Sequence, residues 1–580
     1  MKKFVISLLA VVLFLPSPDL LAQTQGTEVI RYGDVRHPIR DKEGVVASSN
    51  ILASEVGARV LADGGNAVDA AVAVGFALAV VRPRAGNIGG GGFMLVYTAD
   101  DGAVNSIDYR EAAPIRASRD MFLDGDGNVD RQRAMFSHLS SGVPGTVAGL
   151  HFAHQKYGKL PWKRLLAPAI ELAREGYKVS YDMASALERS RERLSRDAST
   201  LEYFYKAGGV AYQQGELFVQ ADLARSLTQI AEHGPDAFYR GEIADKIIAE
   251  MEKAGGLVDA DSLAAYEPVV REPVRGTYRG YDIVSMPPSS SGGVHIIQML
   301  NILEHFPVRE YGAESANNVH LLAEVAKLAY ADRSKHLGDL DFYDVPIEWL
   351  TSKEYAKKLA AGIDMRKATP SEEIAPGVTP VKESIDTTHF SVIDRDGNMV
   401  ANTYTLNLSF GSGMSVDGAG FLLNNEMDDF SSKPGSPNAF GMLGGTANSI
   451  EAGKRPLSSM TPTMVFKDGE PVVATGSPGG SRIIMAVLQM VVNVIDHEMN
   501  IGVASNAPRM HHQWLPDVIQ LESGFSPDTI AELQRRGHTI RGGRTIGNVN
   551  SAGQRDGYLE GAADPRRPGG GAVGPTTLRD

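Results

Sequence analysis

The sequence predicts an α/β fold in which sheets lie sandwiched between helical layers, and three observations carry this. From about Gly149 to Ala361 the pattern is mainly helical, as in the run Val319, Leu322, Val325 and Leu328. After a polar, proline-bearing loop over Ser371 to Ser384 the period changes to two: "THFSVIDRDGNMVANTYTLN" reads as a strand, a turn at Asp396-Gly397, and a second strand through Thr405. Further strands are expected at Gly420 to Asn424, Thr463 to Phe466 and Pro471 to Thr475, before helix resumes near Ile483 to Asn493.

Taken in order, the first 22 residues carry Lys2 and Lys3, an apolar run from Phe4 to Leu15, then Pro16, Pro18 and Ala22. That run is too short to span a bilayer and reads as a secretory signal cut after Ala22, giving a periplasmic or secreted protein. Leu52, Val56 and Val60 predict a helix from Asn50 to Ala62, ended at Gly64-Gly65. "NAVDAAVAVGFALAVV" then predicts a helix buried on most sides, with Asn66 as N-cap and Asp69 three residues on. In "NIGGGGFMLVY" the glycines precede a strand instead of joining a strand to a helix, so they mark a close approach of two backbones and not a phosphate loop. "DGDGNVD" has Val129 where a calcium loop requires glycine, and reads as a solvated turn. No internal repeat is evident.

With 580 residues, 43% apolar and 22% charged, the chain has globular composition and can bury a large core. A net charge of -13 without clustered Lys and Arg argues against a nucleic-acid surface. The absence of cysteine excludes disulfides and a thiol nucleophile. Neither Gly-x-Ser-x-Gly nor His-Glu-x-x-His occurs, and the adjacent His511 and His512 point different ways on regular structure, which suits structural roles. What remains is "DTTHFSV", a threonine pair at the start of a strand. If the bond before Thr387 is cut, that residue carries its own base, an α-amine with a pKa of roughly 7.7 to 8.0, beside its hydroxyl.

The chain resembles the γ-glutamyltransferases of the N-terminal-nucleophile hydrolase superfamily. The motifs that carry the resemblance include "GGNAVDAAVAVGFALAV", "DYREAAP", "PPSSSGG", "LAYADRS", "TTHFSV", "TYTLNLSFGSG", "LLNNEMDDFSSKPG", "PLSSMTPT", "GSPGGSRII", "APRMHHQWLPD" and "DPRRPGGGAVG", and they span nearly all of the mature chain. The resemblance implies a four-layer αββα sandwich with two stacked, mainly antiparallel sheets. It implies self-cleavage between Asp386 and Thr387 into a large subunit (23–386) and a small one (387–580), which stay paired as one intertwined domain. Thr387 is then both cleavage residue and nucleophile, Thr405 holds it in place, and Gly479 and Gly480 form an oxyanion hole. Arg110, Ser458 and Ser459 are implied to take the α-carboxylate of an L-γ-glutamyl donor, Glu426 and Asp429 its ammonium, and Asn407 a further substrate contact. Glutathione is the implied donor, water or an amino acid or peptide the acceptor, and no metal or organic cofactor is expected.

One position departs from the enterobacterial pattern: Phe440, in the segment that covers the glutamyl pocket, stands where a tyrosine is usual and cannot hydrogen-bond to Asn407. Competing readings are a cephalosporin (glutaryl) acylase on the same scaffold, a γ-polyglutamate depolymerase, and an unprocessed binding protein.

Overall fold

A computed structural model describes residues 36–374, 387–433, 435–436, 438–439 and 442–578. The expected signal segment, Asp386 and Phe440 lie outside the described residues. Two seven-stranded sheets, antiparallel throughout, form the centre. The nucleophile-bearing sheet runs Gly571–Val573, Gly44–Ser48, Thr388–Asp394, Met399–Thr405, Gly91–Thr98, Ala103–Tyr109, Val269–Arg271. The second runs Ile39–Asp41, Tyr558–Ala563, Asn550–Arg555, Glu470–Gly476, Thr463–Lys467, Tyr281–Ser285, Val274–Tyr278.

Alternation along the central strands sorts side chains between two cores. Phe390, Val392, Val400, Tyr404, Met94 and Val96 pack with the helices Ile51–Ala62, Ala67–Val81 and Thr146–Tyr157. Ile393, Met399, Ala401, Phe93 and Leu95 face the other way, into a core shared with the second sheet and the helices Gly292–Leu303, Ala316–His336 and Arg482–Ile495. Period-two alternation with apolar residues on both faces is what a sheet covered on both sides requires. The four-layer expectation therefore holds. No described helix is long and apolar enough to cross a membrane.

Local expectations fare unevenly. Asn66 caps Ala67–Val81 in a reciprocal box with Asp69, and all fifteen helical residues are buried. The glycine run does bring backbones together: a Cβ on Gly90 would lie 2.0 Å from the Thr405 carbonyl, and one on Gly92 2.4 Å from that of Thr403. The turn at Asp124 is closed by its own carboxylate, which accepts from the amides of Asp126 and Asn128. By contrast, Gly420 to Asn424 is not a strand of either sheet. Gly420 turns the backbone at φ 77°, and the segment folds back so that Leu422 bridges Ser415 and Leu423 N donates to the Met414 carbonyl. The middle of the chain also holds the two strands Val274–Tyr278 and Tyr281–Ser285, absent from the helical reading.

Candidate active site

Thr387 immediately precedes Thr388–Asp394, whose partner register sets Thr388 opposite Tyr404, so one step further Thr387 meets Thr405. Their hydroxyl oxygens lie 3.3 Å apart, and both residues are buried. Thr405 is fixed from three sides. Its Oγ1 accepts the Asn407 amide at 2.9 Å, its carbonyl accepts Asn87 Nδ2 at 2.8 Å, and the side-chain-free backbone of Gly90 lies against it. Asn407 holds φ at 74° and donates through Nδ2 to the Asn425 carbonyl, which ties the nucleophile strand to the acidic turn Glu426–Asp429. His389, two residues from Thr387, is the nearest conventional base in sequence. It is wholly buried between Thr403 and Ser391, and burial pushes it down to about 3, so it is a neutral structural imidazole.

Arg110 follows the strand Ala103–Tyr109 and is completely buried. Its amide donates to Asp108, itself held by Arg271 at 2.8 Å, and its Nε donates to the Pro456 carbonyl at 3.2 Å. The two terminal nitrogens reach Glu426 and Asp429, the latter at 2.5 Å. Expected cation and expected anions thus pair with one another. Ser458 and Ser459 line the same pocket, and Met442, Met460 and Ile483 supply its apolar lining.

Gly480 lines this pocket with Thr387, between the strand Glu470–Gly476 and the helix Arg482–Ile495. Gly479 stands beside it without lining the pocket. Their φ angles, 140° and 56°, strain any other residue, and both stand just before the N-terminus of that helix, an end that favours anions.

Glu111 was not foreseen, although it stands inside "DYREAAP". It is buried next to Arg110 and Glu426, and neither of its carboxyl oxygens, nor Glu426 Oε2, has a hydrogen-bond donor among the described residues. Burial raises both carboxyls, Glu111 to about 7 and Glu426 well above the usual range, with Arg110 opposing. Each buried carboxyl opposes ionisation of the other, and Arg110 favours it. His511 and His512 carry out side-chain pairing with Gln513 and Asp517, as structural histidines do. A separate buried group, His320, Glu324 and His538, has the makings of a metal site. The two rings instead share a hydrogen bond at 2.7 Å, and the Lys327 ammonium lies 3.0 Å from Glu324, which accounts for the group without a cation.

The family profile for gamma-glutamyltranspeptidase matches residues 53–574. This chain belongs to the gamma-glutamyltranspeptidase family. The glutathione hydrolase proenzyme of Escherichia coli K12 is 53% identical over 543 residues, covering 93% of each chain. Among solved structures, a cephalosporin acylase from Bacillus halodurans superposes with TM-score 0.83 at 30% identity, over 93% of this chain and 97% of that one. A Helicobacter pylori gamma-glutamyltranspeptidase chain superposes with TM-score 0.58 at 48% identity, over 59% of this chain and 97% of that one. In this family member, residues expected at the site converge on one pocket: Arg110 from before position 387, and Thr387, Thr405, Asn407, Glu426, Asp429, Ser458, Ser459 and Gly480 from 387 onward.

Proposed function

We propose that this protein transfers the γ-glutamyl group of glutathione and related donors to water or to an amine, through a γ-glutamyl ester on Thr387. The observation that carries the reading is the joining, in one buried pocket, of a strand-start hydroxyl with a guanidinium and the carboxylates paired to it. Only a small zwitterion with a nearby acyl carbon matches all three.

The same hydroxyl first attacks the Asp386 carbonyl; water resolves that ester, leaving a large subunit of residues 23–386 and a small one beginning at Thr387. The freed α-amine takes the hydroxyl proton as Thr387 Oγ1 attacks the donor's γ-carbonyl, and the amine leaving group departs with that proton. Thr405 holds the oxygen in line. The developing oxyanion is met by the Gly479 and Gly480 amides, each worth roughly 3 kcal/mol in such sites. Arg110, Ser458 and Ser459 take the α-carboxylate; Glu426 and Asp429 take the ammonium, and Asn407 contacts the donor beside them. Export through the first 22 residues places this chemistry outside the cytoplasm. A γ-glutamyl anilide is expected to be cleaved much faster than a glutaryl anilide, because the latter lacks the ammonium that the carboxylates await. The reverse preference would establish the acylase reading favoured by the cephalosporin acylase neighbour.

The pH response follows from the raised carboxyls of Glu111 and Glu426. Their ionised form binds the ammonium, and burial raises their pKa, so protons compete with the donor below neutrality. Donor kcat/KM is therefore expected to fall with decreasing pH more steeply than that of a glutaryl donor, for which only the Thr387 α-amine titrates. Parallel profiles for both donors would remove the carboxylate pair from recognition.

The covering segment is held in part by packing: Ala439 and Met442 cluster with Leu408 against Met135 and Phe136. Asn438 Nδ2 donates to Asp429 at 3.1 Å and the Ala439 amide to Asp428 at 2.9 Å. Buried Asn407 Oδ1 accepts from no described residue. Phe440→Tyr, which restores the hydroxyl that the family resemblance pairs with Asn407, is expected to shift the ratio of hydrolysis to transfer; an unchanged ratio sinks this account of the lid.

A further inference from the structure

The motifs "PPSSSGG" and "LAYADRS" have no part in the chemistry above, yet both lie directly behind the pocket wall. Ser289, Ser290 and Ser291 run alongside Ser458 to Met460 as a short backbone ladder. The Ser458 amide donates to the Ser289 carbonyl at 2.8 Å and the Ser291 amide to the Ser458 carbonyl at 2.9 Å, while Ser290 Oγ donates to the Met460 carbonyl at 2.6 Å. Arg333, in the last turn of Ala316–His336, reaches into this ladder from behind. Its Nε donates to Ser291 Oγ at 2.9 Å, and that hydroxyl in turn donates to the Ser458 carbonyl at 2.8 Å. Its Nη2 donates to Ser459 Oγ at 3.4 Å.

Arg333 is 5% exposed, and no carboxylate of the described residues comes within ion-pair distance of it. A buried guanidinium without a counter-ion is costly unless an anion arrives. Burial lowers it to about 10, with Arg110 acting the same way and Tyr330 and Asp429 against, so it stays cationic at neutral pH. Arg110, by comparison, already has carboxylates on both terminal nitrogens.

We propose that Arg333 is a positioning residue for the donor's α-carboxylate, acting through Ser459 and adding a second positive charge behind the pocket wall. The inference rests on the γ-glutamyl reading. By occupying a lone pair of Ser459 Oγ, Arg333 commits the hydroxyl proton to point into the pocket, where it now meets only the weak acceptor Met442 Sδ at 3.5 Å. An arriving carboxylate oxygen replaces a thioether with a charged acceptor, and places an anion where the buried cation lacks one. Ser459 thereby becomes a donor held ready instead of a free rotor.

The test uses the full-length, self-cleaved enzyme with Arg333→Gln and Arg333→Lys. It reads KM and kcat for a γ-glutamyl anilide, and competitive inhibition constants for L-glutamate and for 4-aminobutyrate, which lacks only the α-carboxylate. Arg333→Gln is expected to raise the anilide KM and the L-glutamate constant roughly 10- to 100-fold, with kcat within about threefold and 4-aminobutyrate unmoved. Arg333→Lys, which keeps the charge but not the fork, is expected to fall between. Combined with Ser459→Ala, its effect is expected to be less than additive. A fall in kcat at constant KM, an equal rise for both inhibitors, or full additivity overturns the proposal. If Arg333→Gln is not cut at Thr387, the lysine variant and its cycle with Ser459→Ala decide alone. A wild-type enzyme inert toward the anilide would count against the acyl-transfer reading itself.

Discussion

Thr387→Ala is expected to remain a single chain on a denaturing gel and to lose turnover by on the order of 10⁶-fold, as removal of the nucleophile does in hydrolases that acylate a hydroxyl. Two separate losses are combined in that number. The first is processing: without Oγ1 nothing attacks the Asp386 carbonyl, and without the cut the α-amine never exists. The second is turnover. Coexpressing residues 23–386 with a separate small chain carrying alanine at its start separates the two, since it supplies the amine and the assembled pocket without the hydroxyl. That assembly is expected to bind L-glutamate and to turn over nothing. Thr387→Ser retains the oxygen but drops the methyl that restricts χ1, so it is expected to self-cleave slowly and to work roughly 100-fold less well. N-terminal sequencing that finds a fragment beginning at position 387 in the alanine variant, or turnover by an uncut chain, would refute the role of this hydroxyl.

Much of the scaffold around that hydroxyl was legible in the sequence because it is encoded locally. The Asn66–Asp69 cap, the Asp396-Gly397 turn and the period-two pattern after Thr387 each act over a few residues. The glycines at 89–92 were readable as a close approach, though not as an approach to Thr405. The strands Val274–Tyr278 and Tyr281–Ser285 were hidden by their turn, where Arg279 takes φ 49° ahead of Gly280 at 78°. A two-residue hairpin with both φ positive normally announces itself with Asn or Asp in first place, and arginine masks it. The site divides in the same way. Thr387, Arg110 and the glycine pair could be carried over from motifs. The acidic turn reads as solvated by composition, yet it lies buried in the pocket wall, tied to Arg110 and through Asn425 to Asn407. Glu111 gains meaning from the distant Glu426, and Arg333 from Ser291 and Ser459, 42 and 126 residues away, which no local pattern encodes.

Arg110→Met is expected to raise the donor KM at least 100-fold and to destabilise the protein, with a stability loss that depends on pH in a diagnostic direction. Methionine fills much of the volume but leaves Glu111, Glu426 and Asp429 buried without the cation that favours their ionised forms. Removing one partner of a buried ion pair typically costs about 3–5 kcal/mol. Here the carboxylates can evade part of that cost by taking up protons. Burial already raises all three, and loss of Arg110 raises them further. A carboxyl whose folded pKa lies above its unfolded value binds protons better when folded, so its contribution is favourable below the unfolded pKa, near 4.5 for glutamate, and is lost as pH rises through the folded pKa. The gap in melting temperature between Arg110→Met and wild type should accordingly be small near pH 5 and widen toward pH 8. Arg110→Lys restores one charge but not the fork that serves Glu426 and Asp429 together, so it should recover stability at pH 8 more completely than it recovers KM. A gap that is constant with pH would mean that removing Arg110 changes no protonation in the folded protein, and a gap that narrows as pH rises would mean that the folded variant holds fewer protons than wild type; either result overturns the account.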